Sequence, residues 1–143
     1  MHSLKNIPVL MLLAFSIFIT TADVQADTTK YFGNIRYNHV SPHVEIKGVN
    51  PLNKEQIANR PHFIFTYGSN KKLFTIIDKS YNVVKRHHIA SLGAYKVTFT
   101  YKNNKETRQF FDVNNEPMLN MKGVYKEVYS FNDNGFKNEL SFY

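Results

Sequence analysis

From about residue 63 onward, apolar and polar positions alternate. Tyr95, Val97, Phe99 and Tyr101 fall on one side of an extended segment and Lys96, Thr98 and Thr100 on the other, the period-two pattern of a strand with one dry and one wet face. Asn103-Asn104 comes next, and asparagine tolerates the left-handed backbone of a tight turn. Further on, Tyr125, Tyr129 and Phe131 precede Asn134-Gly135, the strongest turn signal in the chain, while Phe136, Leu140 and Phe142 follow it. The predicted elements are β-hairpins.

The hairpin unit recurs. Phe65 to Asp78 aligns without a gap, 34 positions on, with Phe99 to Asp112, sharing the Phe-Thr-Tyr opening, the Asn-Lys turn and the closing Asp. Ile76-Ile77 and Phe110-Phe111 match as apolar pairs. A looser third copy runs from Tyr129 to Gly135 and, after a two-residue insertion, ends on Phe142-Tyr143. In this alignment Tyr67, Tyr101 and Phe131 hold one repeat position, and Phe65, Phe99 and Tyr129 another, so stacked hairpins would set rings in rows.

One interruption reads as helical: Leu52 and Ile57 flank Asn53 as a hydrophobic staple, with Gln56 placed to complete a capping box, and Pro61 stops the turn soon after. Upstream, Ile35 to Val40 and Val44 to Lys47 are expected to form one more hairpin about Ser41-Pro42. The predicted fold is therefore all-β, an antiparallel sheet of successive hairpins with one short helical turn. A single domain covers residues 27–143, and the recurring unit suggests the front of a longer repeat protein.

Composition sharpens this. Aromatic residues make up 15% of the chain, and only Ala58, Ala90 and Ala94 follow residue 26, a balance that suits strands. Cysteine is absent, which removes disulfide, thiolate-metal and cysteine-nucleophile chemistry. Residues 1–26 read as a signal peptide, with Lys5 at its start, a mostly apolar stretch from Ile7 to Ile19 and a small-residue cleavage site at Val24-Gln25-Ala26. That apolar stretch is shorter than the roughly 20 residues that span a bilayer. A periplasmic or extracellular location follows, with no transmembrane span after cleavage.

Residues 27–143 keep 17 basic side chains, 13 of them Lys, against 10 acidic ones. Such a balance suits solubility and also anionic partners. His39, His43, His62, His87 and His88 lack the spacing of a metal site: Pro42 breaks any helix between the first two, and four residues of extended chain span about 13 Å. No phosphate loop, nucleophile elbow or cofactor motif is present, so no metal and no cofactor are expected. Asp78 and Asp112 recur in step, which marks them as turn-capping residues rather than a catalytic pair.

The aromatic rows remain as candidate chemistry. Facing inward they are packing; facing water beside lysines they suit sugar rings or single strands of nucleic acid. The candidate binding residues are Tyr67, Tyr101, Phe131, Lys71 and Lys105.

The order of aromatic strand, Asn/Asp/Gly turn, strand, aromatic pair and Asp resembles the YD-type hairpin repeats of large secreted bacterial proteins. Phe131-Asn132-Asp133-Asn134-Gly135 and Phe110-Phe111-Asp112 carry the likeness, which spans roughly Phe63 to Tyr143. It implies a structural shell or an interaction surface and transfers no catalytic residue. The expected function is a non-enzymatic module that binds or scaffolds a glycan or protein partner. Two alternatives stand beside it: association with an anionic surface, membrane ahead of nucleic acid, or a small hydrolase using His39, His43, His87 or His88.

Overall fold

The computed structural model describes residues 28–37, 45–81 and 92–143. The expected signal peptide, the Ser41-Pro42 turn and His39, His43, His87 and His88 lie outside the described residues. Eight antiparallel strands form one sheet: β1 (Thr28–Tyr37), β2 (Ile46–Leu52), β3 (Phe63–Tyr67), β4 (Leu73–Asp78), β5 (Lys96–Lys102), β6 (Lys105–Phe111), β7 (Lys126–Phe131) and β8 (Lys137–Phe142). Their order in the sheet is β2-β1-β3-β4-β5-β6-β7-β8. From β3 onward this is a plain meander, each strand pairing with its chain neighbour, as alternation and short turns require. No helix occurs among the described residues. Asn53 and Gln56 do exchange the two capping-box hydrogen bonds, each 2.9 Å long, but residues 54–59 form only turns. Pro61 sits too close for a helix to continue.

Three hairpins follow one another from β3 to β8, and their phasing differs from the sequence alignment. In β3–β4, Phe65 pairs with Ile76 and Tyr67 with Leu73, with a bulge between Thr66 and Tyr67. In β7–β8, Tyr129 pairs with Leu140 and Phe131 with Lys137, with a bulge between Ser130 and Phe131. The first and third hairpins thus match at every step, with no insertion. Leu140-Ser141, not Phe142-Tyr143, stands where Ile76-Ile77 stands. The middle hairpin is the exception: Phe99 pairs with Arg108, and Lys102 closes on Lys105 across Asn103-Asn104. These asparagines have φ of 51° and 56°, the left-handed pair of a two-residue turn whose twist suits a hairpin. Replacing a five-residue loop by a two-residue one slides the register by two, which keeps every side chain on its own face.

That slide decides which side chains meet across the sheet. Lys30, Phe65, Ile76, Val97 and Phe110 lie in one transverse row. Phe99, Arg108, Glu127 and Phe142 form the next, and Tyr101, Glu106, Tyr129 and Leu140 a third. The aromatic rows expected from the gap-free alignment are therefore sheared, with charged residues between the rings. Phe65, Phe99 and Tyr129 are buried, while Tyr67, Tyr101 and Phe131 are half-buried toward the hairpin-loop end.

One hairpin closes the core. The β1–β2 ladder skips Gly33 opposite Asn50, whose φ is 57°, and Ile35 and Ile46 beyond this break are buried in the same cluster as Phe65, Ile76, Val97 and Phe99. In a flat sheet β2 and β5 would be about 19 Å apart, four spacings of ~4.8 Å. Their side chains nonetheless meet in one cavity, so the sheet curls and the β1–β2 arm closes over its inner face. Gly48 permits this: a Cβ there would fall 2.2 Å from the Phe32 ring. Phe32 in turn packs edge-on to Phe65, with ring centroids 5.0 Å apart.

Candidate binding groove

The turns at 68–72, 103–104 and 132–136 all lie at one end of the meander. Between them and the β1–β2 arm, two adjoining cavities of about 620 and 500 Å³ open, each within the range of about 300–1,000 Å³ usual for small-molecule sites. They share Glu45, Lys72, Tyr101 and Glu106. Tyr67 and Lys71 line the cavity nearer the arm, and Phe131 and Lys105 the cavity nearer β7–β8, so the five candidate residues border one continuous groove. Asn103, Asn104 and Asn132 add amides to its rim.

Position along the strand explains why these residues gather. Tyr67, Tyr101 and Phe131 are each the last or next-to-last inward-facing residue before a turn, so each ring lies half in the core and half in the mouth. Lys71 and Lys72 lie in the first turn and Lys102 and Lys105 flank the second, where long charged side chains reach water. Lys72 Nζ sits 4.8 Å above the Tyr101 ring and Lys30 Nζ 5.5 Å from that of Tyr67, close enough for cation–π attraction. Burial raises the Tyr101 phenol well above its ordinary pKa, and the neighbouring Glu106 carboxylate raises it further. Tyr67 is raised by burial as well. Both phenols remain protonated donors at any physiological pH.

Beneath the groove lies a charged layer that the sequence analysis missed. Arg108 is 1% exposed. Its guanidinium rests 4.2 Å from the Tyr129 ring centroid and 5.6 Å from that of Phe99, and its Nε donates to Glu106 Oε1 at 2.5 Å. Opposite it on β7, Glu127 accepts hydrogen bonds from the Tyr129 hydroxyl (2.7 Å), the Lys122 ammonium (3.0 Å) and the Asn120 amide (3.1 Å). Burial alone would raise the Glu127 pKa; the Tyr129 and Lys122 hydrogen bonds, with the charges of Lys122 and Arg108, outweigh it and hold the carboxyl below its ordinary value. The available signal was parity: Arg108 shares a strand face with Phe110, and Glu127 with Tyr129.

The two recurring aspartates do cap turns. Asp78 Oδ1 accepts from the Ser80 backbone N–H (2.8 Å) and hydroxyl (2.5 Å), and Asp112 Oδ1 from the N–H groups of Asn114 (2.9 Å) and Glu116 (2.8 Å). His62 lies at the opposite end from the groove, its Nδ1 2.9 Å from the Arg60 carbonyl. Among the described residues, no group of three or more His, Asp or Glu side chains is arranged to hold a metal ion, and no helix is long and apolar enough to cross a membrane.

The architecture defines a class, an eight-stranded antiparallel meander with a folded-over hairpin arm and a groove at its loop end. Beyond that class, comparison with known proteins adds nothing: no family model, curated protein or solved structure matches the chain.

Proposed function

We propose that this chain is an exported, non-enzymatic binding module that holds a glycan or protein partner in the loop-end groove. The observation that carries this reading is convergence: Tyr67, Lys71, Tyr101, Lys105 and Phe131, drawn from three separate hairpins, border adjoining cavities. The groove offers half-buried rings, amides and neutral phenol donors, a mixture suited to the alternating apolar and hydroxylated faces of carbohydrate.

A panel of soluble polysaccharides run in affinity electrophoresis tests this. At least one polymer should retard the protein, and Tyr101→Ala combined with Phe131→Ala should abolish the retardation while circular dichroism still reports the folded sheet. Retardation that the double variant leaves intact would place the seat elsewhere. Absence of retardation by every polymer would refute the carbohydrate reading and leave a protein partner.

A further inference from the structure

We infer that the ligand of this groove is an acidic polysaccharide, its carboxylate or sulfate groups held between the ammonium groups of the turn lysines; the inference rests on the groove being the binding seat. Charge is the first support. Six basic side chains line the two cavities against three acidic ones; Arg108 pairs with Glu106 and Lys47 with Glu45, which leaves Lys71, Lys72, Lys102 and Lys105 against Asp133.

The placement of those lysines is the second. Lys102 and Lys105 face each other directly across the two-residue turn, and like charges opposed in a ladder are destabilising. Lys71 adopts a φ of 61°, a conformation that glycine or asparagine takes more readily. At both positions the chain carries a lysine where folding alone favours another residue. An anion seated at this rim relieves the repulsion, and residues that serve a site at the expense of local stability are expected at functional positions.

The third support concerns the rings. Lys72 lies over Tyr101, and both line the two cavities, so a ligand meets an ammonium before it meets that π face. That arrangement works against flat stacking of nucleobases, which single-strand binders rely on, and favours a chain bearing anionic groups with hydroxyls between them. The amides of Asn103, Asn104 and Asn132 are placed to serve those hydroxyls.

The test compares polygalacturonate, dextran sulfate, neutral dextran, carboxyl-reduced polygalacturonate and single-stranded DNA in affinity electrophoresis at fixed ionic strength. Polygalacturonate or dextran sulfate should bind, and whichever binds more tightly identifies carboxylate or sulfate as the recognised group. Carboxyl reduction should weaken polygalacturonate binding at least ~10-fold, and Lys72→Ala with Lys105→Ala should do the same to the preferred polymer. Lys79→Ala with Lys126→Ala removes as much charge at the far end of the sheet, after β4 and at the start of β7, and should cost no more than ~2-fold, which separates a seated anion from general attraction to a basic protein. If neutral and acidic polymers bind alike and only the ring variants weaken them, the acidic class is wrong while the groove stands. If both lysine pairs weaken binding equally, or DNA binds more tightly than either acidic polymer, the inference is overturned. If no polymer binds, the carbohydrate reading and the inference fall together.

Discussion

Replacing Arg108 by Met tests the buried charge layer most directly. The guanidinium is 1% exposed, donates to Glu106 at 2.5 Å and lies over the Tyr129 ring at 4.2 Å. Methionine fills much of the volume but strands the Glu106 carboxylate, whose side chain is only 14% exposed. Breaking a buried ion pair from one side costs about 3–5 kcal/mol. Glu127 keeps Lys122, Tyr129 and Asn120 as partners, which places the expected loss near the lower bound, about 3 kcal/mol. Against a total stability of about 5–15 kcal/mol for a domain of this kind, that is a large fraction. Urea unfolding followed by far-ultraviolet circular dichroism or tyrosine emission measures it, since the chain contains no tryptophan. Adding Glu106→Gln to Arg108→Met removes the stranded charge and should recover at least about 1 kcal/mol. A loss below about 1 kcal/mol, or a double variant no better than the single one, would refute the claim that this pair is held by mutual compensation inside the sheet.

Three further outcomes are expected. Gly135 has a φ of 77° and open space where a Cβ would stand, so Gly135→Ala should cost about 1 kcal/mol through backbone strain alone, whereas Lys71→Gly should not destabilise its equivalent loop; thermal melts of the two variants decide this. Lys105→Thr should raise stability by a few tenths of a kcal/mol, by removing the repulsion with Lys102, while weakening any anionic ligand; a variant that is both less stable and fully competent in binding would contradict the account. Asp78 and Glu127 should respond to pH in opposite senses. Burial raises Asp78 above its ordinary 3.8, the Ser80 hydrogen bonds offsetting part of the rise, so its contribution is complete below that value and is lost as pH climbs through the raised one. Glu127 is lowered from 4.5, so its contribution holds above that value and is lost as pH falls through the lowered one. Melting temperatures between pH 3 and 7 should therefore show Asp78→Asn gaining on the parent toward neutrality and Glu127→Gln losing most there.

The hairpins were legible because period-two alternation and turn chemistry are local signals, and Asn103-Asn104 and Asn134-Gly135 sit where the sheet turns. The groove was partly legible for the same reason: a ring placed just before a turn ends up at the mouth of whatever the turns surround. Three features escaped. The two-residue slide of β5–β6 preserves the in–out pattern, so no pattern of apolar positions reveals it. Strand β8 lies at the sheet edge and carries little apolar signal, so matching apolar pairs aligns the third copy on Phe142-Tyr143 instead of Leu140-Ser141. Glu45 and the covering arm reach the groove only through curling of the sheet, a long-range consequence of Gly33, Gly48 and Asn50. Arg108 and Glu127 escape because charged residues in a strand are ordinarily surface residues, an inference that fails when each finds its partners two residues along its own strand and, for Glu127, in the preceding loop.

Among the described residues a single five-residue loop design is used four times, at 68–72, 112–116, 120–124 and 132–136. In each, the first residue's N–H reaches the fifth residue's carbonyl and the fourth residue's N–H returns to the first residue's carbonyl, and the fourth residue has a positive φ, in Lys71, Asn115, Gly123 and Gly135. The second and third residues take part in neither closing bond. At the two loops on the groove, those positions are Ser69-Asn70 and Asp133-Asn134. Substitutions at these tips leave both closing bonds in place, so the framework beneath keeps its pairing, the same division of labour that lets antibody loops diversify on a constant scaffold.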